Sequence, residues 1–143
     1  MELSFFIPLR RLPTVTAQQK RFKPYKDGSL LIYDSPELRA ARQMFIAGLA
    51  PHKPLTPLTG AVRLYVRFYW RSERHPEGWK TTRPDTDNMI KAFKDCMTVC
   101  GYWKDDAQVV RGVVEKCWSD EPTGIYIEID ELPQERNAER RSL

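Results

Sequence analysis

The stretch from Thr82 to Gln108 holds the side chains best suited to do chemistry, T-R-P-D-T-D-N-M-I-K-A-F-K-D followed by G-Y-W-K-D-D-A-Q. Asp85 and Asp87 are two apart, so in an extended segment their carboxylates leave on the same side. Asp87 stands where a helix begins, in the position of an N-cap, and Lys91 follows one turn later on the same face. Asp105 and Asp106 come in the loop after that helix. Carboxylates that converge repel each other. At about 5 Å and an effective dielectric near 20, each pair costs roughly 3 kcal/mol, while a helix cap returns only about 1 kcal/mol. A cluster of Asp85, Asp87 and Asp106 therefore needs protonation or a cation. Oxygen-only ligands with open positions suit Mg²⁺, or Mn²⁺, more than zinc. Held on a phosphate ester, such an ion activates water, polarises the phosphoryl oxygen and stabilises the leaving oxygen. Lys91 would add a cation beside the developing charge. Each piece also has a plainer reading: Asp87 as a surface cap paired with Lys91, and Asp105-Asp106 as an ordinary turn. Spacing alone does not force the loop of Asp106 back to the start of the helix.

The elements that must position these residues follow from periodicity. Residues 2–9 read as a strand, and its apolar start lacks the basic leader and cleavage site of a signal peptide. Residues 10–34 form a Pro- and Lys-rich region with a turn at Asp27-Gly28 and a short apolar run, Leu30 to Tyr33. Ser35 caps a helix with Pro36 at its first position, and Leu38, Ala41, Phe45 and Leu49 form its apolar stripe up to about Ala50. Pro51, Pro54 and Pro57 forbid its continuation. In the next strand Val62, Leu64, Val66, Phe68 and Trp70 face the core, while Arg63, Tyr65, Arg67 and Tyr69 make a basic, aromatic outer face. After a charged loop over 71–84, a helix runs from near Asp87 to Cys100 with Ile90, Phe93, Met97 and Cys100 inward and Gly101 as its stop. Strands follow over about 109–118 and through Ile125, Ile127 and Ile129, joined by a turn. The order predicts an α+β fold, a mixed sheet of about four strands with two main helices on one face. One domain is expected over 1–132, with 133–143 a charged, disordered tail.

Composition permits this and narrows the partners. At 143 residues the chain has the size of one domain, with 41% hydrophobic and 29% charged residues and no apolar run long enough to span a bilayer. Cys96, Cys100 and Cys117 cannot all pair, and with His52 and His75 they make no convincing zinc set. They read as small core residues in a reducing cytoplasm. The net charge of +4 is mild, but K-R-F-K-P-Y-K at 20–26 interleaves cations with aromatics, which suits phosphates and unstacked bases as well as it suits a solvated loop. Lys20, Arg21, Lys23, Lys26, Arg67 and Arg83 are the candidate phosphate contacts.

Over Asp85 to Lys116, and more loosely over nearly all of the chain except the tail, the sequence resembles the RusA-like endonucleases, Holliday-junction resolvases of bacteria and phages. The resemblance implies that Asp85, Asp87 and Asp106 are the catalytic, metal-binding aspartates and Lys91 the essential lysine, with Asp95 and Asp105 at further acidic positions. It implies a cytoplasmic homodimer that uses Mg²⁺ to nick two opposing strands of a four-way junction in DNA recombination and repair. A two-fold protein suits a two-fold junction. Two departures stand out. Pro84 replaces a basic residue of some relatives, which is expected to shift DNA contacts onto Arg83 and Lys80, and the loop Ser72 to Lys80 is longer than in compact relatives. A related nuclease for other branched DNA, a non-catalytic junction-binding dimer and a protein-interaction module are the competing readings.

Overall fold

The computed structural model describes residues 2–14 and 20–134. Its elements are β1 (Glu2–Pro8), β2 (Lys20–Pro24), β3 (Leu30–Asp34), α1 (Pro36–Leu49), β4 (Val62–Arg71), β5 (Glu77–Trp79), α2 (Thr86–Cys100), β6 (Val109–Ser119) and β7 (Gly124–Glu131). Five strands form one mixed sheet in the order β1-β7-β4-β6-β5, and β2 and β3 make a separate antiparallel hairpin. Within the sheet β4 and β6 are parallel. Parallel neighbours need a long crossover, and α2 supplies it.

The α+β class holds, but the sheet has five strands rather than about four. The extra strand, β5, is three residues inside the charged loop, too short to show alternation, and it exists because it pairs with Cys117–Ser119. The hairpin is a second addition. Its turn is tied by Asp27, whose Oδ1 accepts from the Ser29 amide at 2.9 Å and the Ser29 hydroxyl at 2.6 Å, with Gly28 at φ +89°.

One face of the sheet carries the core. Val62, Leu64, Val66, Phe68 and Trp70 point into it with Ile125, Ile127 and Ile129. Phe45 of α1 and Phe68 of β4 both meet Phe93 of α2 edge-on, at 5.2 and 5.8 Å between centroids. The α1 cap is as read: Ser35 Oγ accepts from the Leu38 amide at 3.1 Å. The phase of α2 differs from expectation. Met89, Ala92, Phe93, Cys96 and Met97 are its buried residues, and Ile90 and Cys100 are only half-buried. Its N-cap is Asp85, not Asp87, because Thr86 is already helical. Gly101 ends it at φ +89°. All three cysteines are free thiols, with Cys96 and Cys117 buried. No helix among the described residues is long and apolar enough to cross a membrane. Residues 135–143 of the expected tail lie outside the described residues.

Candidate active site and DNA-facing surfaces

Asp85 ends an extended segment at the start of α2, with φ −72° and ψ 149°, and its carboxylate makes no capping hydrogen bond. Asp87 lies in the first turn, where the helix dipole favours an anion. Lys91 is one turn further on. All three side chains are exposed, and none is in an ion pair among the described residues.

The segment leading to Asp85 is gripped from the neighbouring strand. Lys116 of β6 donates from Nζ to the carbonyl of Thr82 at 2.8 Å and of Pro84 at 2.7 Å. The amide of Lys80 donates to the Lys116 carbonyl at 2.9 Å, extending the ladder past β5. Lys80 itself is buried, its ammonium 4.4 Å from the Trp118 ring centroid and 5.4 Å from that of Trp70, and it donates to Thr82 Oγ1 at 2.5 Å. Burial, followed by the nearby Lys116 charge, lowers its pKa. The expectation that Lys80 contacts DNA is therefore corrected. Two tryptophans absorb its stem and charge, and it braces the loop from within.

At the other end of α2, the D-D-A-Q turn divides its labour. Asp105 Oδ1 accepts from the Ala107 amide at 2.9 Å, and Gln108 Oε1 accepts from the Asp105 amide at 3.2 Å, a reciprocal capping box. Gln108 Nε2 also donates to the carbonyls of Leu58 and Gly60 at 2.8 and 3.1 Å. Asp105 is thus committed to the backbone, whereas the half-buried Asp106 is in no ion pair among the described residues. Asp95, the other further acidic position, pairs with Arg42 at 3.7 Å.

The structure brings Asp85, Asp87 and Lys91 together and sets Asp106 apart. The 15 residues of α2 separate the two ends by about 22 Å at 1.5 Å per residue. The return along β6 agrees, because Val109 to Lys116 spans roughly 23 Å at about 3.3 Å per residue. Among the described residues no three His, Cys, Asp or Glu side chains stand close enough to hold a metal ion. A single chain does not fit a three-aspartate metal site.

The candidate phosphate contacts fall in three places. Lys23 and Lys26 are exposed on and beside the β2–β3 hairpin, next to Phe22 and Tyr25, which are also exposed. Lys20 and Arg21 lie on β2, with their side chains outside the described residues. Arg83 is exposed beside Asp85. Arg67 is placed differently. On the outer face of the sheet its guanidinium meets Glu115 at 3.0 Å and lies 5.8–6.0 Å from the ring centroids of Tyr65, Tyr69 and Trp79. Arg63 is likewise held by Asp130 at 2.6 Å and Glu128 at 3.2 Å. The outer face is aromatic, as read, but acids from β6 and β7 offset its basic charge.

Sequence comparisons bear on these residues together. The family model for Endodeoxyribonuclease RusA matches residues 12–130. The chain is 36% identical over 137 residues to the crossover junction endodeoxyribonuclease rusA of Lactococcus phage r1t, covering 92% of this chain and 100% of that protein. It is also 31% identical over 110 residues to the uncharacterized protein YqaN of Bacillus subtilis (strain 168), covering 68% of this chain and 77% of that one.

Proposed function

The chain belongs to the RusA family of endodeoxyribonucleases, and from that premise we propose that it resolves four-way DNA junctions in the cytoplasm, as a metal-dependent homodimer making paired symmetric nicks. One observation carries the reading. The family match runs through the whole segment that bears Asp85, Asp87, Lys91 and Asp106, and those four side chains are left without ion-pair partners among the described residues. Acids without ion-pair partners where phosphate must approach would repel DNA, a repulsion that a bound metal cation would relieve.

The dimer explains the separation of Asp106. β5 covers only the Cys117–Ser119 end of β6, so from Val109 to Glu115 the strand has β4 as its one neighbour among the described strands. Val110 and Val113 are 63% and 46% exposed along that edge. A bare, apolar edge invites a further strand. Antiparallel pairing with a second copy, about a two-fold near Gly112–Val113, sets Val109 opposite Lys116 of the partner subunit. Asp106 then lies beside the partner's grip on its own Pro84, hence near Asp85 of the partner subunit. The cluster completed in this way is the proposed site for Mg²⁺ or Mn²⁺, which supplies an activated water and neutralises phosphate charge. Around it, Asp87 and Lys91 set an anion and a cation on one helix face, and Arg83, Lys23 and Lys26, with Lys20 and Arg21, hold DNA phosphates.

The test is cleavage of a synthetic four-way junction with Mg²⁺, beside linear duplex and flap controls, using wild type and Asp85→Asn. Paired symmetric nicks by wild type alone, abolished by chelator, support the reading. Tight junction binding without cutting in either metal would refute it in favour of an architectural dimer.

A further inference from the structure

On the outer face of the sheet, away from Asp85 and Asp87, lies an open cleft of about 390 Å³. Its construction follows from register. Cys117 stands between Tyr69 of β4 and Trp79 of β5, and Ser119 lies opposite Glu77. Cys117 and Ser119 are small and make a floor, 7% and 9% exposed. Arg67 and Tyr69 form one wall, and Trp79 with Glu77 the other. Trp79 is 61% exposed, which leaves much of its ring open to the cleft. It sits in the loop Ser72 to Lys80.

The chemistry of the walls limits what fits. An anion does not, because Glu115 already neutralises Arg67 at 3.0 Å and the carboxylates of Glu77 and Glu121 line the same space. A free cation is disfavoured, because Arg67 already brings a positive charge within 5.9 and 5.8 Å of the Tyr69 and Trp79 ring centroids. What remains is a flat, neutral ring with polar edges, in a volume near the low end of the ~300–1,000 Å³ of small-ligand sites. We propose that this cleft receives one unstacked nucleobase of the DNA, with its edge over Cys117 and Ser119, stacked on the face of Trp79 away from Arg67. Arg67 is level with Glu115, and Ser119 with Glu77 on the opposite side of the Tyr69–Cys117–Trp79 row. Glu77 and Glu121 accept hydrogen bonds from exocyclic amino groups, so adenine, cytosine and guanine are favoured over thymine. This rests on the resolvase reading for the source of the base. A branch point is where bases are already partly unstacked.

The experiment measures junction binding by the full chain in chelator, so that cutting does not interfere. Wild type, Trp79→Ala and Trp79→Phe are compared on an intact junction and on junctions made abasic at each nucleotide flanking the crossover. Loss of one stacking platform is expected to weaken intact-junction binding about ten-fold for Trp79→Ala and less than about three-fold for Trp79→Phe. At one abasic position wild type should lose the same factor and Trp79→Ala nothing more, since both changes remove one contact. Losses that multiply at every position, or an intact junction bound equally by wild type and Trp79→Ala, overturn the proposal. A Trp79→Ala protein that falls to monomer in sedimentation also overturns it and assigns the cleft to subunit contact. If wild type still cuts junctions in Mg²⁺ under any of these results, the resolvase reading survives. If wild type neither binds nor cuts them, both readings fall together.

Discussion

Replacing Lys116 by methionine isolates the grip on the segment that carries Asp85. The methionine keeps the stem and removes two charge-assisted hydrogen bonds, to the carbonyls of Thr82 and Pro84. Bonds to charged groups contribute about 1.5–3 kcal/mol each. Against their sum stands roughly 2 kcal/mol of lysine rotamer freedom regained, and water can reach the exposed Thr82. The net local cost is about 2 kcal/mol. If the ordered segment is what presents Asp85, the competent fraction falls by roughly thirty-fold, since about 1.4 kcal/mol is a factor of ten. Single-turnover cleavage of a four-way junction should slow by that order, while junction affinity changes by less than about two-fold. Backbone amides from Thr82 to Asp85 should exchange faster with solvent, because a loop opens locally without global unfolding. Lys116→Arg keeps the donors and is expected to retain most of the rate. Faster exchange with undiminished cleavage would refute the link from grip to catalysis, and unchanged exchange would refute the grip itself.

Three further outcomes follow from the geometry. Asp85→Asn and Asp106→Asn chains, each inactive alone, should regain nicking when mixed and reassembled. The mixed dimer then holds one intact site built from both chains, so about a quarter of wild-type sites return under random pairing; no recovery would place all three aspartates of a site in one chain. Glu115 titrates below the usual carboxylate range because Tyr65 donates a hydrogen bond to it and Arg67 lies beside it. Its contribution to stability is complete above the unfolded value and is lost as pH falls through the lowered folded value, so the gap in urea midpoint between wild type and Glu115→Gln should be full at pH 6 and shrink as the pH falls below the ordinary carboxylate range; a gap that widens in acid would contradict this. Burial pushes the Cys96 thiol up to about 11 and raises Cys100 and Cys117 as well. With about one Cys96 in a thousand as thiolate at pH 8, alkylation of that thiol should be slow in the native protein and rapid in urea, and fast native labelling of Cys96 would contradict the buried placement.

Elements whose stability is decided locally were legible in the sequence. Ser35-Pro36 announced α1, strict alternation announced β4, and Gly101 announced the end of α2. The strands β2, β3 and β5 were not, because Leu30, Ile32 and Trp79 are exposed and short strands draw their order from partners. The site was legible as a set of residue types but not as a place. Spacing put Asp85 and Asp106 on either side of one helix, but nothing in it shows whether the loop of Asp106 returns to the helix start, or that Lys116 reaches 32 positions back to Pro84. The separate duties of Asp105 and Asp106 did have a signal. An aspartate followed three residues later by glutamine is a capping-box pattern, and it marks Asp105 as the structural member. The burial of Lys80 had a weaker one, since a lysine flanked by a strand tryptophan and a loop has a stem long enough to lie under aromatic cover.

The place of β7 has a consequence for how the protein is made. It is the latest of the described strands to be synthesised, yet it lies inside the sheet between β1 and β4. Leu9, just past β1, accepts a hydrogen bond from Thr123, 114 positions away, and Ile7 pairs with Ile125. At roughly 5–20 residues per second on the ribosome, β1 waits on the order of ten seconds without a strand partner. Gly124 then has to pass so close to the strand that a β-carbon there would lie 2.0 Å from the Ile7 carbonyl oxygen. A message broken shortly before Gly124 therefore yields a lone β1 and a three-stranded β4-β6-β5 fragment with no strand to join them, even though every candidate catalytic residue has already been translated.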